Sequence, residues 1–180
     1  MQKRPWRSEF FAAFASELNQ QYPRVLRVLE LGSGPGFLAS HLLSTLPHLR
    51  MVLLDFSDAM HDLARLRLGP MAARVGFISA SFKASDWCNG LANFDAVVTN
   101  QAVHELRHKR HTAELHKQVK AVLRPSGSYL VCDHFCGDGA MANDRLYMTV
   151  DEQRVAIESA GFASVREILV KGGMVLHHAR

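Results

Sequence analysis

The chain has 180 residues, 48% hydrophobic and 21% charged, an ordinary globular composition with room for one domain and little more. Arg, Asp or His interrupts every strong apolar stretch within about ten residues, so no run reaches membrane-spanning length and no membrane association is expected. A net charge of +4 would help any acidic partner approach but selects none.

Lys3, Arg4 and Arg7 open the chain without a small-residue cleavage site, so no secretory leader is read; Glu9 and Glu17 count against a mitochondrial one. Residues 8–19 predict a helix, with Phe10, Phe14 and Leu18 at helical spacing. Val25 to Leu31 reads as a strand that runs straight into glycines, and 36–46 as a helix ended by Pro47. Met51 to Asp55 is a short, nearly all-apolar strand, as expected where both faces of a sheet are covered. Ser57 is placed to cap a helix through about Leu68, stopped by Gly69-Pro70. Val75 to Ser81 and Phe94 to Asn100 read as the third and fourth strands, with a short helix or loop over 84–93. Leu115, Val119, Val122 and Leu123 form one stripe of a helix over Arg107 to Leu123. Pro125-Ser126-Gly127 then turns the chain into a fifth strand, Ser128 to Asp133. Thr149 and Glu152 have capping-box spacing for a helix closed by Gly161. Val165 to Val170 and Met174 to His178 flank Gly172-Gly173, a hairpin signal.

The alternation predicts an α/β fold: a doubly wound, mostly parallel seven-stranded sheet, closed by a C-terminal antiparallel hairpin. Residues 1–24 would form an N-terminal helix or cover, and 25–180 one cofactor-binding unit. Such sheets bind ligands beyond the carboxyl ends of their strands. Cys88, Cys132 and Cys136 are too few and too unevenly placed for a disulfide framework, which suits reduced thiols in a cytoplasmic protein.

Gly32, Gly34 and Gly36 follow a strand and open a helix, where glycine permits a tight turn and close approach of a ligand. Asp55 ends the next strand, and a carboxylate there can accept both hydroxyls of a ribose. This unit points to a nucleoside cofactor. The glycines are spaced G-x-G-x-G, not the G-x-G-x-x-G of dinucleotide sites. Glu30, two residues before the first glycine, would repel a pyrophosphate but attract an ammonium.

Val28-Leu29-Glu30-Leu31-Gly32-Ser33-Gly34-Pro35-Gly36 resembles the first motif of class I S-adenosylmethionine-dependent methyltransferases, whose fold is a three-layer sandwich. Asp55-Phe56-Ser57-Asp58-Ala59-Met60 is similar to the second motif, and Phe94 to Asn100 to the fourth-strand motif. Leu123-Arg124-Pro125-Ser126-Gly127 and Ala160-Gly161-Phe162 match later landmarks, so the resemblance covers about residues 25–180 in order. It implies S-adenosylmethionine as cofactor, with S-adenosylhomocysteine as product. Glu30 and the loop of Gly32, Ser33, Gly34 and Gly36 would hold the methionyl end, with Asn100 ending the fourth strand beside them. Asp55 would hold the ribose, and Phe56 and Met60 would pack on the adenine. Where the family often has an acid that reads the adenine amino group, this chain has Ser81, followed by Phe82.

His104-Glu105-Leu106-Arg107-His108 fits the zinc motif H-E-x-x-H. Its place after a strand, and the cation at Arg107, argue for a chance match among ten histidines, and no metal is expected. Methyl transfer needs alignment above all. A general base matters only when the acceptor must lose a proton, and His104 and His134, each after a strand at the binding edge, are the candidate catalytic residues. Asp133 could orient His134 or contact the acceptor, and Tyr147 lies where the family's acceptor-binding segments lie. A small-molecule acceptor is expected, with Trp6, Phe10 and Phe14 as a cover or equally as plain core, and a monomer or homodimer as the assembly. RNA or protein as acceptor is the alternative. So is a non-catalytic S-adenosylmethionine-binding regulator or partner subunit. The basic run Arg107 to His111 offers few phosphate contacts and no interleaved aromatics, so nucleic-acid binding is expected to be weak.

Overall fold

A computed structural model describes residues 6–21 and 26–180. Lys3, Arg4, Val25 and the boundary proposed near residue 24 lie outside the described residues. Seven strands form one sheet in the order β3-β2-β1-β4-β5-β7-β6. They are β1 (Leu26–Leu31), β2 (Leu49–Asp55), β3 (Val75–Ser79), β4 (Phe94–Asn100), β5 (Leu123–His134), β6 (Val165–Lys171) and β7 (Met174–Ala179). All neighbouring pairs are parallel except β5–β7 and β6–β7. The hairpin expected at Gly172-Gly173 therefore supplies the antiparallel strand, inserted between β5 and β6.

Strand alternation divides the core between the two faces of the sheet. Val28 of β1 and Val98 of β4 meet α1 (Arg7–Gln21), α2 (Phe37–Thr45) and α3 (Asp58–Leu68) through Phe10, Phe14, Leu38, Leu42 and Ala64. Leu29 and Leu31 meet α4 (Thr112–Val122) and α5 (Val150–Ser159) through Leu115, Val119 and Ile157 on the other face. Phe10, Phe14 and Leu18 are each at most 1% exposed, and burying each contributes roughly 1.5–3 kcal/mol. Polar contacts also bind α1 to the hairpin. Glu17 accepts from Arg166 and pairs with His178, and Lys171 pairs with Glu9. The capping box forms as expected, Thr149 accepting from Glu152 N and Glu152 reaching back to Thr149 N.

Three expectations need correction. The third strand stops at Ser79, so Ser81 and Phe82 sit in the turn beyond it. The helix expected from Arg107 starts only at Thr112, because Arg107 adopts a left-handed φ of 65° and separates two short 3₁₀ turns. The fifth strand begins at Leu123. Phe94 pairs with Leu123 and Ala96 with Ser128, so residues 124–127 are absorbed as a bulge, not as a turn before the strand.

The chain winds outward from β1 to β3, returns across the sheet to β4, and winds outward again. The loops after β1 and β4 thus part to opposite faces and leave a crevice, the usual ligand position in such sheets.

Candidate active site

The first wall is the loop Gly32–Gly36. Gly32, Gly34 and Gly36 all have positive φ. At Gly32 the need is also steric: a Cβ there would lie 2.5 Å from the Cβ of Ala102, in the loop after β4. Gly32 N and Ser33 N both donate to Leu54 O. Asp55 pins the loop further, its Oδ2 accepting from Gly34 N at 2.8 Å and its Oδ1 from Ser57 N at 3.0 Å. A carboxylate has about four lone-pair positions, so Asp55 keeps acceptor capacity on the side facing the crevice.

Glu30 lies in mid-sheet register with Leu53 and Val98 and is 3% exposed. Its Oε2 has no hydrogen-bond partner, nor has Ser33 Oγ. Burial, with the charge of Asp55 adding to it, pushes the Glu30 carboxyl up to about 8. An unpartnered buried acid is costly and fits a cationic ligand group.

Two pockets meet at this loop. One, of about 200 Å³, is lined by Glu30, Ser33, Gly34 and Asn100, with Arg7 and Phe11 of α1 closing it. The other, of about 310 Å³, is lined by Asp55, Phe56, Met60, Ser81, Phe82, Lys83 and Glu105. Gly32 and Gln101 border both, so the two halves join across them. Phe56 is 74% exposed, an aromatic left at the rim. Gly36 lines neither pocket; it caps α2 and packs against Ala64.

The histidines form a third, narrower pocket of about 20 Å³ beside the crevice. Asp133, 5% exposed at the end of β5, accepts three N–H bonds. His104 N donates to Oδ2 at 2.8 Å, and His134 N and His104 Nδ1 each donate to Oδ1 at 2.7 Å. His104 is thus held with Nδ1 protonated and Nε2 as its basic nitrogen. The hydrogen bond to Asp133 raises the His104 pKa, burial opposes it, and the charges of Asp133 and Glu105 add to the rise. Tyr147 stands over both rings, 5.7 Å from His104 and 6.1 Å from His134 between centroids.

Every residue expected to hold the cofactor, apart from Gly36, borders one of the two joined pockets, and both candidate catalytic histidines share the third. The helical face that H-E-x-x-H requires does not exist, since the backbone breaks at Arg107 and His108 Nδ1 accepts from Arg110 N. Among the described residues no group of three or more His, Cys, Asp or Glu is placed to hold a metal. Nor is any helix among them long and apolar enough to cross a membrane. Sequence reasoning missed Arg7, Lys83 and Gln101 as pocket walls. Gln101 could have been flagged, because it follows a strand at the binding edge.

The methyltransferase-domain family matches residues 28–127. The chain is similar to the malonyl-[acyl-carrier protein] O-methyltransferases of Legionella pneumophila, 35% identical over 78 residues, and of a Paenibacillus species, 30% identical over 103 residues. Those matches take in 43% and 57% of this chain but only 26% and 36% of the relatives, about a quarter to a third of their length. Among solved structures, the 1,6-didemethyltoxoflavin-N1-methyltransferase of Burkholderia thailandensis, with S-adenosylhomocysteine bound, aligns with a TM-score of 0.71 at 22% identity. That alignment covers 99% of this chain and 81% of that one. Human N-acetylserotonin methyltransferase in complex with S-adenosylmethionine aligns at 0.74 and 17% identity, over 97% of this chain and 52% of that one. With residues 28–127 matched, the chain belongs to the methyltransferase-domain family, and its strand order and glycine turn give it the fold of the S-adenosylmethionine-dependent methyltransferases it aligns with.

Proposed function

We propose that this domain methylates a hydroxyl group of a small-molecule acceptor, with His104 as general base and Asp133 as its positioning partner. The observation that carries the reading is the His104–Asp133 pair, set beside the crevice with Nε2 as its basic nitrogen. A carboxylate acceptor has no proton to lose, and a neutral amine reacts through its lone pair; a hydroxyl gains most from a base. The relatives named malonyl-[acyl-carrier protein] O-methyltransferases agree with an oxygen acceptor, but a malonyl group offers a carboxylate, so the hydroxyl reading rests on the His104–Asp133 pair.

S-adenosylmethionine, when bound, supplies a methyl group already activated on a sulfonium. Glu30 fits its ammonium, since Oε2 is buried without a partner on the wall of the 200 Å³ pocket. Arg7 on the same wall suits the carboxylate, and the loop of Gly32 to Gly34 and the side of Asn100 complete this half. Asp55 takes the ribose hydroxyls, and Phe56, Met60, Ser81 and Phe82 surround the adenine. Through Arg7 and Phe11, α1 acts as a cover over the donor half and belongs to the same working unit.

Equilibrium calorimetry with S-adenosylhomocysteine tests the donor site. Asp55→Ala should weaken binding about 10- to 100-fold, the loss of one or two hydrogen bonds to a charged acceptor. Undiminished affinity would remove the ribose assignment. Incubation with radiolabelled donor and fractionated cell extract tests the acceptor. Label in the low-mass fraction is expected; label confined to RNA or protein would refute a small-molecule acceptor.

Glu30 adds a second expected result. With its carboxyl near 8 in the free protein, it is mostly protonated at pH 7, and it ionises when an ammonium settles against Oε2. Binding at pH 7 therefore releases close to one proton, seen as a dependence of the calorimetric heat on buffer ionisation enthalpy. Affinity rises by up to tenfold per pH unit below about pH 8 and then levels off. Glu30→Gln should abolish the proton release. Equal heats in all buffers for the unsubstituted protein would show that Glu30 is already ionised.

A further inference from the structure

Gln101 is the first residue after β4 and borders both joined pockets. Its Nε2 also lies 3.1 Å from Nε2 of His134, which lines the histidine pocket. Its backbone has a φ of 57°, uncommon for a residue with a side chain, and is fixed by Gln101 N donating to Cys132 O at 2.7 Å.

The orientation of its amide follows from a third group. Gln101 Nε2 also contacts Met174 Sδ, on β7. A thioether sulfur accepts hydrogen bonds and never donates, so the amide NH₂, not the carbonyl, faces it. That NH₂ must then also be the group facing His134, which makes His134 Nε2 an acceptor without a proton. Turning the amide over would set its carbonyl oxygen against both the sulfur and the ring nitrogen lone pair.

We propose that Gln101, locked by Met174, is a positioning residue that holds His134 in the neutral tautomer with Nε2 unprotonated. The purpose rests on the methyltransferase reading above. The donor is a cation, so a like charge formed on the neighbouring His134 ring would be unfavourable. Two histidines share this pocket, 5.8 Å apart between ring centroids. Asp133 favours the charged form of His104, so a second imidazolium beside it would add a further repulsion. Gln101 assigns the roles: His104 exchanges the proton and His134 stays neutral. Tyr147 stands edge-on to the His134 ring, Gln153 donates to the His134 carbonyl, and Asp133 accepts from His134 N.

The test is the tautomer of His134 in the cofactor-free protein, read from two-bond proton–nitrogen correlations of the imidazole at pH 7.5 and assigned with His134→Asn. The unsubstituted protein should give a pyridine-like Nε2 and a pyrrole-like Nδ1. Gln101→Glu, which offers only acceptors, should make Nε2 pyrrole-like; Met174→Leu, which frees the amide, should give a mixture. A protonated Nε2 in the unsubstituted protein, or the same tautomer in Gln101→Glu, overturns the proposal. Circular dichroism shows whether each variant is folded; if Gln101→Glu fails to fold, Gln101→Met takes its place with the same expected loss of the acceptor tautomer. Because no cofactor is present, the result is independent of the functional reading, which fails separately if S-adenosylhomocysteine does not bind.

Discussion

Replacing His104 by alanine should lower kcat by about 10²–10⁴-fold, the range a positioned general base supplies, while leaving the affinity for S-adenosylhomocysteine unchanged. The separation is expected because His104 borders the histidine pocket and neither donor pocket. Asp133 raises the His104 pKa through its hydrogen bond. The basic form therefore accumulates as pH rises above the ordinary histidine range, and kcat should climb there to a plateau. Asp133→Asn should move that inflection to lower pH. It should also cost stability, since an amide cannot accept from all three N–H groups that Asp133 now satisfies. A His104→Ala enzyme with undiminished kcat would mean that alignment alone drives transfer and that the acceptor has no proton to lose.

Stability should fall steeply in mild acid. His116 of α4 and His177 of β7 are 1% and 0% exposed, and His116 Nδ1, Tyr129 Oη and both His177 nitrogens have no hydrogen-bond partner. Burial lowers the His116 pKa to about 3, helped by His177, and lowers that of His177 to about 4, helped by Arg154. In the unfolded chain both titrate near the ordinary histidine value. Below about pH 6.5 the unfolded state therefore binds protons that the folded state refuses. Stability is fully present above that pH and is lost as pH falls toward 4, with a slope of about 2–3 kcal/mol per unit from the two groups together. His61 and His178 are shifted the same way by burial. His104 has the opposite sign, but its contribution changes only above pH 6.5. Urea denaturation at pH 7.5, 6, 5 and 4 reads the slope, and His177→Leu should reduce it by about half. A flat profile for the unsubstituted protein would mean that these rings are not held neutral.

The parts of the fold set by local pattern were legible in the sequence. Phe10, Phe14 and Leu18 mark a helix, the apolar run through Leu54 marks a buried strand, and Thr149 with Glu152 marks a helix start, because each signal lies within a few residues. The proposed donor site was readable for the same reason: the glycine turn and Asp55 are local motifs in a fixed order. What escaped were features decided by distant partners. Arg107 interrupts a helical pattern because the loop after β4 must reach Asp133 through His104. Residues 124–127 bulge because Leu123 finds Phe94 to pair with. Gln101 and Arg7 become pocket walls only once β4 and α1 are placed against the glycine loop. The ammonium contact proposed for Glu30 was readable from its place before the glycines, but its raised pKa was not, since that depends on burial.

The crevice is built from segments with unequal freedom to vary. Residues 100–105 border both donor pockets through Gln101, carry His104, and place Ala102 against Gly32 with no room for one methyl group. A substitution there disturbs several duties at once. The segment 135–149 enters the histidine pocket through Leu146, Tyr147 and Met148 and touches neither donor pocket. It can therefore change without cost to donor binding. On the proposed reading, diversification of acceptor preference, whether by natural drift or by a library, belongs at those three positions, while the stretch after β4 sets the chemistry they share.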